Sequence, residues 1–441
     1  LAALLGSLAL SAQDSLSLPD AIRVALEKHP AILAGRSATR AAEFGEKQAK
    51  AGMLPKLNYS ESWTGSNNPV FVFSSLLTQR QFTASNFDID RLNRPGWLNN
   101  FQSLVVAEQP LYDAGQTRLA HQSAMLGRDM TREQLRRTQL DVMARVVRAY
   151  YGAVLGAQLV KVAGEAVRSA EADLARAKSV RDAGMSTDAD VLSIEVHLAA
   201  MREQEIRRRA DEEVARAALN EAMGLPLDTP HTLTTALEAV QAAPVRSRED
   251  YLALAATSRP ELLQSRLAIQ MAQTQIETAR TSLLPQVVLR AAFEADRQRF
   301  VTRGGANWLT GVSLRWNLFN GFADRARIDE ASERLVQSRS LERQVTAGIQ
   351  LEQRKAEADR RAAEERVRVA QAAVAQAEES LRIIKNRFEA GMTNVTELLR
   401  AETALLDAST RKAAAIHDLR LARIGEELAA GSLSPDSEVL K

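Results

Sequence analysis

Two hydrophobic periods divide the chain. Leu57, Tyr59 and Trp63 alternate with Asn58, Ser60, Ser62 and Thr64. Val287, Leu289, Ala291 and Phe293 alternate with Gln286, Arg290, Glu294 and Asp296, and Trp308, Thr310, Val312, Leu314, Trp316 and Leu318 with Gly311, Ser313, Arg315 and Asn317. A period of two predicts strands with one apolar face, here over 55–64, 285–296 and 308–318. About ten residues is also the length of a tilted strand that crosses a bilayer. The segment 101–111 alternates poorly and is taken as a strand by analogy with its repeat mate. Elsewhere the period lengthens to threes and fours, as at Leu174, Ala177 and the Lys178 stem, and at Val367, Ala373 and Val374. That is the signature of helix.

Proline and aromatic residues follow the same partition. Residues 111–225 and 286–434 contain no Pro and are rich in Ala, Arg, Glu, Gln and Leu, all strong helix formers. All four Trp, at 63, 97, 308 and 316, lie in or beside the alternating segments. Each proline-free window predicts one long helix, 116–182 and 323–389, of about 67 residues or roughly 100 Å. Gly184 and Gly391 stop these helices.

The chain is a duplication. Adding 230 carries Ser17, Asp20, Pro30, Arg36, Leu54 and Pro55 onto Ser247, Asp250, Pro260, Arg266, Leu284 and Pro285. Past the strands the offset becomes 207. Ala183-Gly184-Met185-Ser186 then falls on Ala390-Gly391-Met392-Thr393, and Asp190 and Glu195 fall on Glu397 and Glu402. The lost residues belong to the first hairpin loop, about 65–100, which is therefore the longer one.

The predicted organisation is a first repeat over 13–240 and a second over 241–432, followed by a tail, 433–441. The first repeat holds a helix over 18–53, strands 55–64 and 101–111, the long helix 116–182, a tip at 183–187, a helix over 188–223 and a linker over 225–240. The second holds a helix over 249–283, strands 285–296 and 308–318, the long helix 323–389, a tip at 390–394 and a helix over 395–430. Capping boxes at Ser17/Asp20 and Ser247/Asp250 open each repeat, and Pro30 and Pro260 restart the helix. In each repeat the two shorter helices, about 23 and about 37 residues, together nearly match the long one, so they are expected to stack coaxially beside it. The fold class is mainly α with a small β part: long antiparallel hairpins plus four membrane strands. Four strands cannot close a barrel, which needs about eight or more. An open edge in lipid leaves backbone groups unsatisfied, so the protomer is expected to oligomerise.

Composition narrows the chemistry. The 441 residues carry 57 Lys+Arg against 55 Asp+Glu, a net charge of +2, which disfavours a nucleic-acid binder built on a basic face. With no Cys there are no disulfides, thiolate metal sites or Cys nucleophiles. A mean hydropathy of −0.23 with 25% charged residues excludes a polytopic helical membrane protein. Residues 1–12, LAALLGSLALSA, read as the apolar core and cleavage end of an export signal. The five His have no metal-ligand spacing, and no nucleotide loop or hydrolase motif occurs. No enzyme, cofactor or metal is expected.

In order and spacing, the motifs resemble TolC-like outer-membrane efflux proteins. The residues concerned are Leu54-Pro55 and Leu284-Pro285, Pro110-Leu111-Tyr112-Asp113-Ala114-Gly115, Asn317-Leu318-Phe319-Asn320-Gly321, and the tips 183–192 and 387–399. The resemblance implies a homotrimer in the outer membrane of a Gram-negative-type bacterium. Its twelve-stranded barrel would contact lipid and continue into a helical tunnel across the periplasm. It also implies a periplasmic adaptor and an inner-membrane transporter of RND or ABC type as partners, with no nucleic acid. The expected function is the passive exit duct of a tripartite pump for small molecules. A type I protein-secretion duct and a soluble periplasmic coiled-coil scaffold are the alternatives.

The resemblance also assigns site residues. Gly184, Met185, Ser186, Gly391, Met392 and Thr393 would meet the adaptor, although helix termination alone explains both glycines. Asp190, Glu397 and Phe388 would sit at the periplasmic aperture. Thr187/Asp190 and Asn394/Glu397 equally resemble capping boxes, and the two roles are compatible. Arg400 stands where some relatives carry a second acid. The 65–100 loop, with Phe71, Phe73 and Trp97, is expected at the extracellular mouth, packed over or into the opening.

Overall fold

A computed structural model describes residues 15–184, 186–237, 246–301 and 304–440. The export signal 1–12, Met185, the end of the 225–240 linker and Lys441 lie outside the described residues. The chain divides into two compact units. The first comprises the described parts of Leu1–Thr39, Thr131–Ser265 and Leu341–Lys441, and the second is Arg40–Met130 with Arg266–Ser340.

Each repeat opens with two helices within the spans 18–53 and 249–283, divided at the prolines that restart the helix. They are α1 (Leu18–Lys28) and α2 (Pro30–Ala51) in the first repeat. The break falls at His29, whose ψ of 129° is extended. The ring of the following proline excludes the helical region for the residue before it. Arg259, ahead of Pro260, breaks the second repeat in the same way with ψ 115°.

The strands and their flanks follow: β1 (Ser15–Leu16) ahead of α1, then β2 (Lys56–Ser66), α3 (Pro69–Thr78), α4 (Ile89–Asn93) and β3 (Leu98–Tyr112). The helical hairpin α5 (Gln116–Asp182) and α6 (Asp188–Met223) completes the repeat, with the short β4 (Thr232–Leu233) behind it. The second repeat contains α7 (Arg248–Ser258), α8 (Pro260–Thr281), β5 (Gln286–Arg297), β6 (Gly305–Arg315), α9 (Ala323–Glu389) and α10 (Val395–Ala430). Both long helices have 67 residues.

The first unit has its main core where α1 lies against the middle of α5. Leu18, Ile22, Ile32, Val146, Tyr150, Tyr151, Leu219 and Met223 are all nearly or fully buried there. The Tyr150 hydroxyl donates to the Leu16 carbonyl at 2.9 Å, which ties the parallel β1–β4 pair to α5. The short helices meet end to end. Gly224, the left-handed C-cap of α6, abuts the start of α2, and a Cβ there would lie 2.7 Å from His29 Cα. Gly431 caps α10 against Arg259, whose guanidinium donates to the Ala429 carbonyl at 3.0 Å. That cation sits where the carbonyl end of a helix is electronegative.

The second unit carries the sheet, antiparallel throughout in the order β2-β3-β5-β6. β2 and β6 are its free edges. Strand bounds differ from the pattern: β2 runs to Ser66, past 64, β3 starts at Leu98, before 101, and β6 spans 305–315, not 308–318. Pairing across the hairpins fixes these ends, and the alternation of one strand does not reveal it.

Gly224 and Gly184 separate two costs. Both have positive φ, but a Cβ at Gly184 meets nothing within 4 Å. Gly184→Ala should lose about 1 kcal/mol from backbone strain alone. Gly224→Ala should lose about 2–4 kcal/mol, since the joint with α2 must also shift. Thermal unfolding in detergent checks the ordering, and equal losses would mean that the two helix ends do not bear on each other.

Candidate docking tips and exit sheet

The α5–α6 and α9–α10 hairpins are brought together at their tips. Ala177, Val191, Ile194 and Val395 are buried as one cluster, with Leu174, Phe388 and Leu399 packed against it. Phe388 therefore packs into a hydrophobic contact between hairpins. Gly184 and Gly391 hold φ of 77° and 69°. The Met392 amide donates back to the Arg387 carbonyl at 2.8 Å, closing the second turn. Met392 is 63% exposed, an apolar side chain in water at a helix turn.

The two acids after the tips are held differently. Asp190 Oδ2 accepts from the Thr187 hydroxyl at 2.8 Å, the Thr187 amide at 3.2 Å and the Ser186 hydroxyl at 3.1 Å. The Asp190 amide donates back to the Thr187 hydroxyl, completing a capping box. These donors, the Thr187 hydroxyl first, hold the Asp190 carboxyl below the usual aspartate range. In the second hairpin Asn394 caps α10 by accepting from the Glu397 amide at 3.1 Å. The Glu397 carboxylate turns instead to Arg400, at 3.2 Å. The tips are thus alike in backbone and unlike in charge, since one acid is a cap and the other is neutralised by its own helix.

The sheet has two chemically distinct faces. One carries Leu57, Tyr59, Trp63, Phe293, Trp308, Val312 and Leu314, by register and alternation. Leu57 is 72% and Trp308 79% exposed. The other is mostly polar, with Asn58, Ser60, Ser62, Thr64, Asn100, Gln102, Arg290, Glu294 and Asp296, and carries Leu104, Val106, Val288 and Leu309 among them. Toward the hairpin end of the apolar face, Arg297 satisfies Glu61 at 2.9 Å and Ser103 at 2.7 Å.

The β2–β3 connection, expected as a loop, is folded. Asn68 accepts from the Val70 and Phe71 amides and starts α3, with Pro69 in its first turn. Phe73, Phe82 and Phe87 stack edge to face. At the end of α3, buried Gln79 donates to the Asn99 carbonyl at 2.9 Å and to Asn100 Oδ1 at 2.8 Å, and Asn100 donates to Asp296 at 2.6 Å. Arg80 reaches the Ala306 carbonyl on β6 at 2.8 Å. Gly305 lies so close beneath that a Cβ would come within 1.8 Å of the Thr78 carbonyl. The connection therefore lies across the hairpin end of the polar face, from β3 to β6. Phe71 and Phe73 ride on α3. Trp97 instead lays its ring on Gly65 of β2 and donates to Asn99 Oδ1 at 3.0 Å. The anchors Gln79, Arg80 and Gly305 escaped the sequence reading; Asn68-Pro69 was the available sign of a helix there.

No helix among the described residues is long and apolar enough to cross a membrane, and no group of His, Asp or Glu among them is arranged to hold a metal. A family model described as outer membrane efflux protein matches residues 21–225 and 251–430. The chain belongs to the outer membrane efflux protein family. Its two matched stretches coincide with the duplicated halves, and the chain is an outer-membrane channel with a large periplasmic part. Protein CyaE of Bordetella pertussis is 28% identical over 95% of this chain and 85% of its own length. The alkaline protease secretion protein AprF of Pseudomonas aeruginosa is 25% identical over 92% and 82%. The Campylobacter jejuni CmeC outer membrane channel shares the fold, with a TM-score of 0.79 over 96% of this chain and 87% of that one, at 16% identity.

The cap at the first tip makes a prediction for this efflux-family chain. Thr187→Ala should cost the start of α6 about 1 kcal/mol at neutral pH. Asp190 has a lowered value, so its share is complete above the ordinary aspartate range and is lost as pH falls through the lowered one. Hydrogen exchange of the first α6 amides should show the variant converging on the parent in acid. A gap independent of pH would contradict the role of the carboxylate.

Proposed function

We propose that the chain is the outer-membrane duct of a three-part exporter and works as a homotrimer. The carrying observation is the four-stranded sheet, apolar on one face, polar on the other and open at β2 and β6. Three copies joined edge to edge give twelve strands with the polar face inward, which is enough to close and to hold water. The hairpin tips, with Gly184, Ser186, Gly391, Met392 and Thr393, supply the surface for a periplasmic adaptor. Asp190, Glu397 and Phe388 belong to the periplasmic aperture. An inner-membrane transporter supplies the energy.

Polypeptide is the cargo favoured over the small molecules first expected. Two relatives aligned over nine-tenths of this chain are named for protease secretion, AprF and PrtF of Dickeya chrysanthemi. Deleting the chain from its cell should then trap a secreted protein inside while leaving sensitivity to small toxic compounds unchanged. The reverse result would return the duct to small-molecule efflux.

In this reading α3 and the segment after it narrow the exit, because Gln79 and Arg80 anchor them on the pore-facing side. Replacing 69–95 by a short Gly-Ser turn should raise single-channel conductance in planar bilayers. Unchanged conductance would show that the segment does not obstruct the mouth.

A further inference from the structure

Away from the tips, each of the four hairpin helices sends one ionisable side chain into the same buried place. Asp173 comes from α5, His197 from α6, Lys385 from α9 and Glu402 from α10. Asp173 is 3% exposed and Glu402 8%. Lys385 Nζ lies 2.8 Å from Asp173 Oδ1, and His197 Nε2 lies 3.2 Å from Glu402 Oε2. Ser169, one turn before Asp173, donates to Glu402 Oε1 at 2.9 Å. The Asp173 and Glu402 carboxylates are neighbours, and neither Asp173 Oδ2 nor Glu402 Oε2 receives a hydrogen bond.

Two buried carboxylates facing one ammonium leave a surplus negative charge when His197 is neutral. Such a site favours taking up a proton. A proton on Asp173 turns its unpartnered oxygen into a donor toward Glu402. Burial first, and then the Glu402 carboxylate, push Asp173 up to about 6 against the pull of Lys385. For Glu402 burial works against charge, but His197, Asp173 and Ser169 outweigh it and hold that carboxyl below its usual range. The nearby pairs Lys178–Glu195 and Arg202–Glu171 join α5 to α6, and Arg176–Glu389 joins α5 to α9, all on exposed surface. Beside the cluster, Ser169, His197 and Glu402 line a cavity of about 110 Å³ with Val162, Met201 and Leu406. That is room for water, and so for proton exchange, next to the buried acids.

We propose that Asp173, Glu402, His197 and Lys385 form a proton-tightened latch that joins the two hairpins and sets how their tips sit against each other. The inference rests on the reading of the tips as the docking end, whose alignment would then respond to periplasmic acidity. The direction follows from linkage. Asp173 binds its proton more tightly in the closed latch than in an open one, so closure is favoured as pH falls from 6 toward 4 and is weakest above 6. Glu402 opposes this once pH falls below the ordinary glutamate range, and its opposition is complete below its own lowered value. A difference of about two pH units caps the change in the opening equilibrium at about 100-fold.

The absence of native Cys allows a direct test on the full chain in detergent. Spin labels at Ser179→Cys on α5 and Ser380→Cys on α9 report the distance between hairpins, with labelled chains diluted in unlabelled ones. From pH 5 to pH 8 a longer-distance population should grow, with a midpoint near 6. Asp173→Asn, neutral at every pH, should hold the short distance throughout. Lys385→Met, which removes the cation that favours ionised Asp173, should move the midpoint upward, and it serves if Asp173→Asn does not fold. A distribution unchanged between pH 5 and 8, or variants that titrate like the parent, would overturn the latch. Adaptor capture at the tips is scored separately by cross-linking at Met392→Cys, so a failure of docking and a failure of the latch are told apart.

Discussion

The unpaired edges of a four-stranded sheet are the constraint on which the rest depends. Every second residue of an antiparallel edge strand turns both its backbone donor and its acceptor outward without a partner, and hydrocarbon offers none. The exposed apolar face, with Leu57, Trp63, Trp308 and Val312, suits lipid. The chain therefore has a surface made for a membrane and a boundary that no single copy satisfies. Neither Lys nor Pro within β2 or β6 blunts these edges, apart from Lys56 at the first position of β2. Edge-to-edge association is the arrangement that resolves both features at once.

The helical part solves a different problem. Helices of 67 residues cannot bury themselves, and each needs apolar partners along its length. The repeat meets this with shorter helices that abut at glycine joints, Gly224 against His29 and Gly431 against Arg259. The joint needs a left-handed residue without a side chain at one end and a proline-directed break at the other. Both appear in both repeats, so duplication copied the joint as a unit. What it did not copy is the chemistry at the tips: Asp190 caps its helix while Glu397 pairs with Arg400.

Local signals were legible in the sequence and contacts between elements were not. Proline-free windows and terminal glycines mark the long helices, and the period of two marks β2, β5 and β6, because each depends on a few neighbouring residues. The break at His29 was also visible, since Pro30 dictates it. β3 alternates poorly, and its ends are set by pairing, Leu98 with Ser66 and Tyr112 with Val287. The fold of the 67–97 connection depends on Gln79 reaching Asn100 and on the absence of a side chain at Gly305, more than 200 positions away. His197 has no motif around it, and its partners come from three other helices. Phe388 packs between hairpins, against the cluster of Val191 and Ile194, and its place in the sequence does not reveal that contact.

The most direct test of the central claim is cross-linking across the open edges. Cysteines placed in pairs along β2 and β6 of the full chain, oxidised in the outer membrane, report whether one copy's edge meets another's. Closure by three copies predicts a ladder that ends at three chains for the pairs in register, with no cross-link from cysteines on β3 or β5. Monomers at every pair, or a ladder that continues past three, would contradict it.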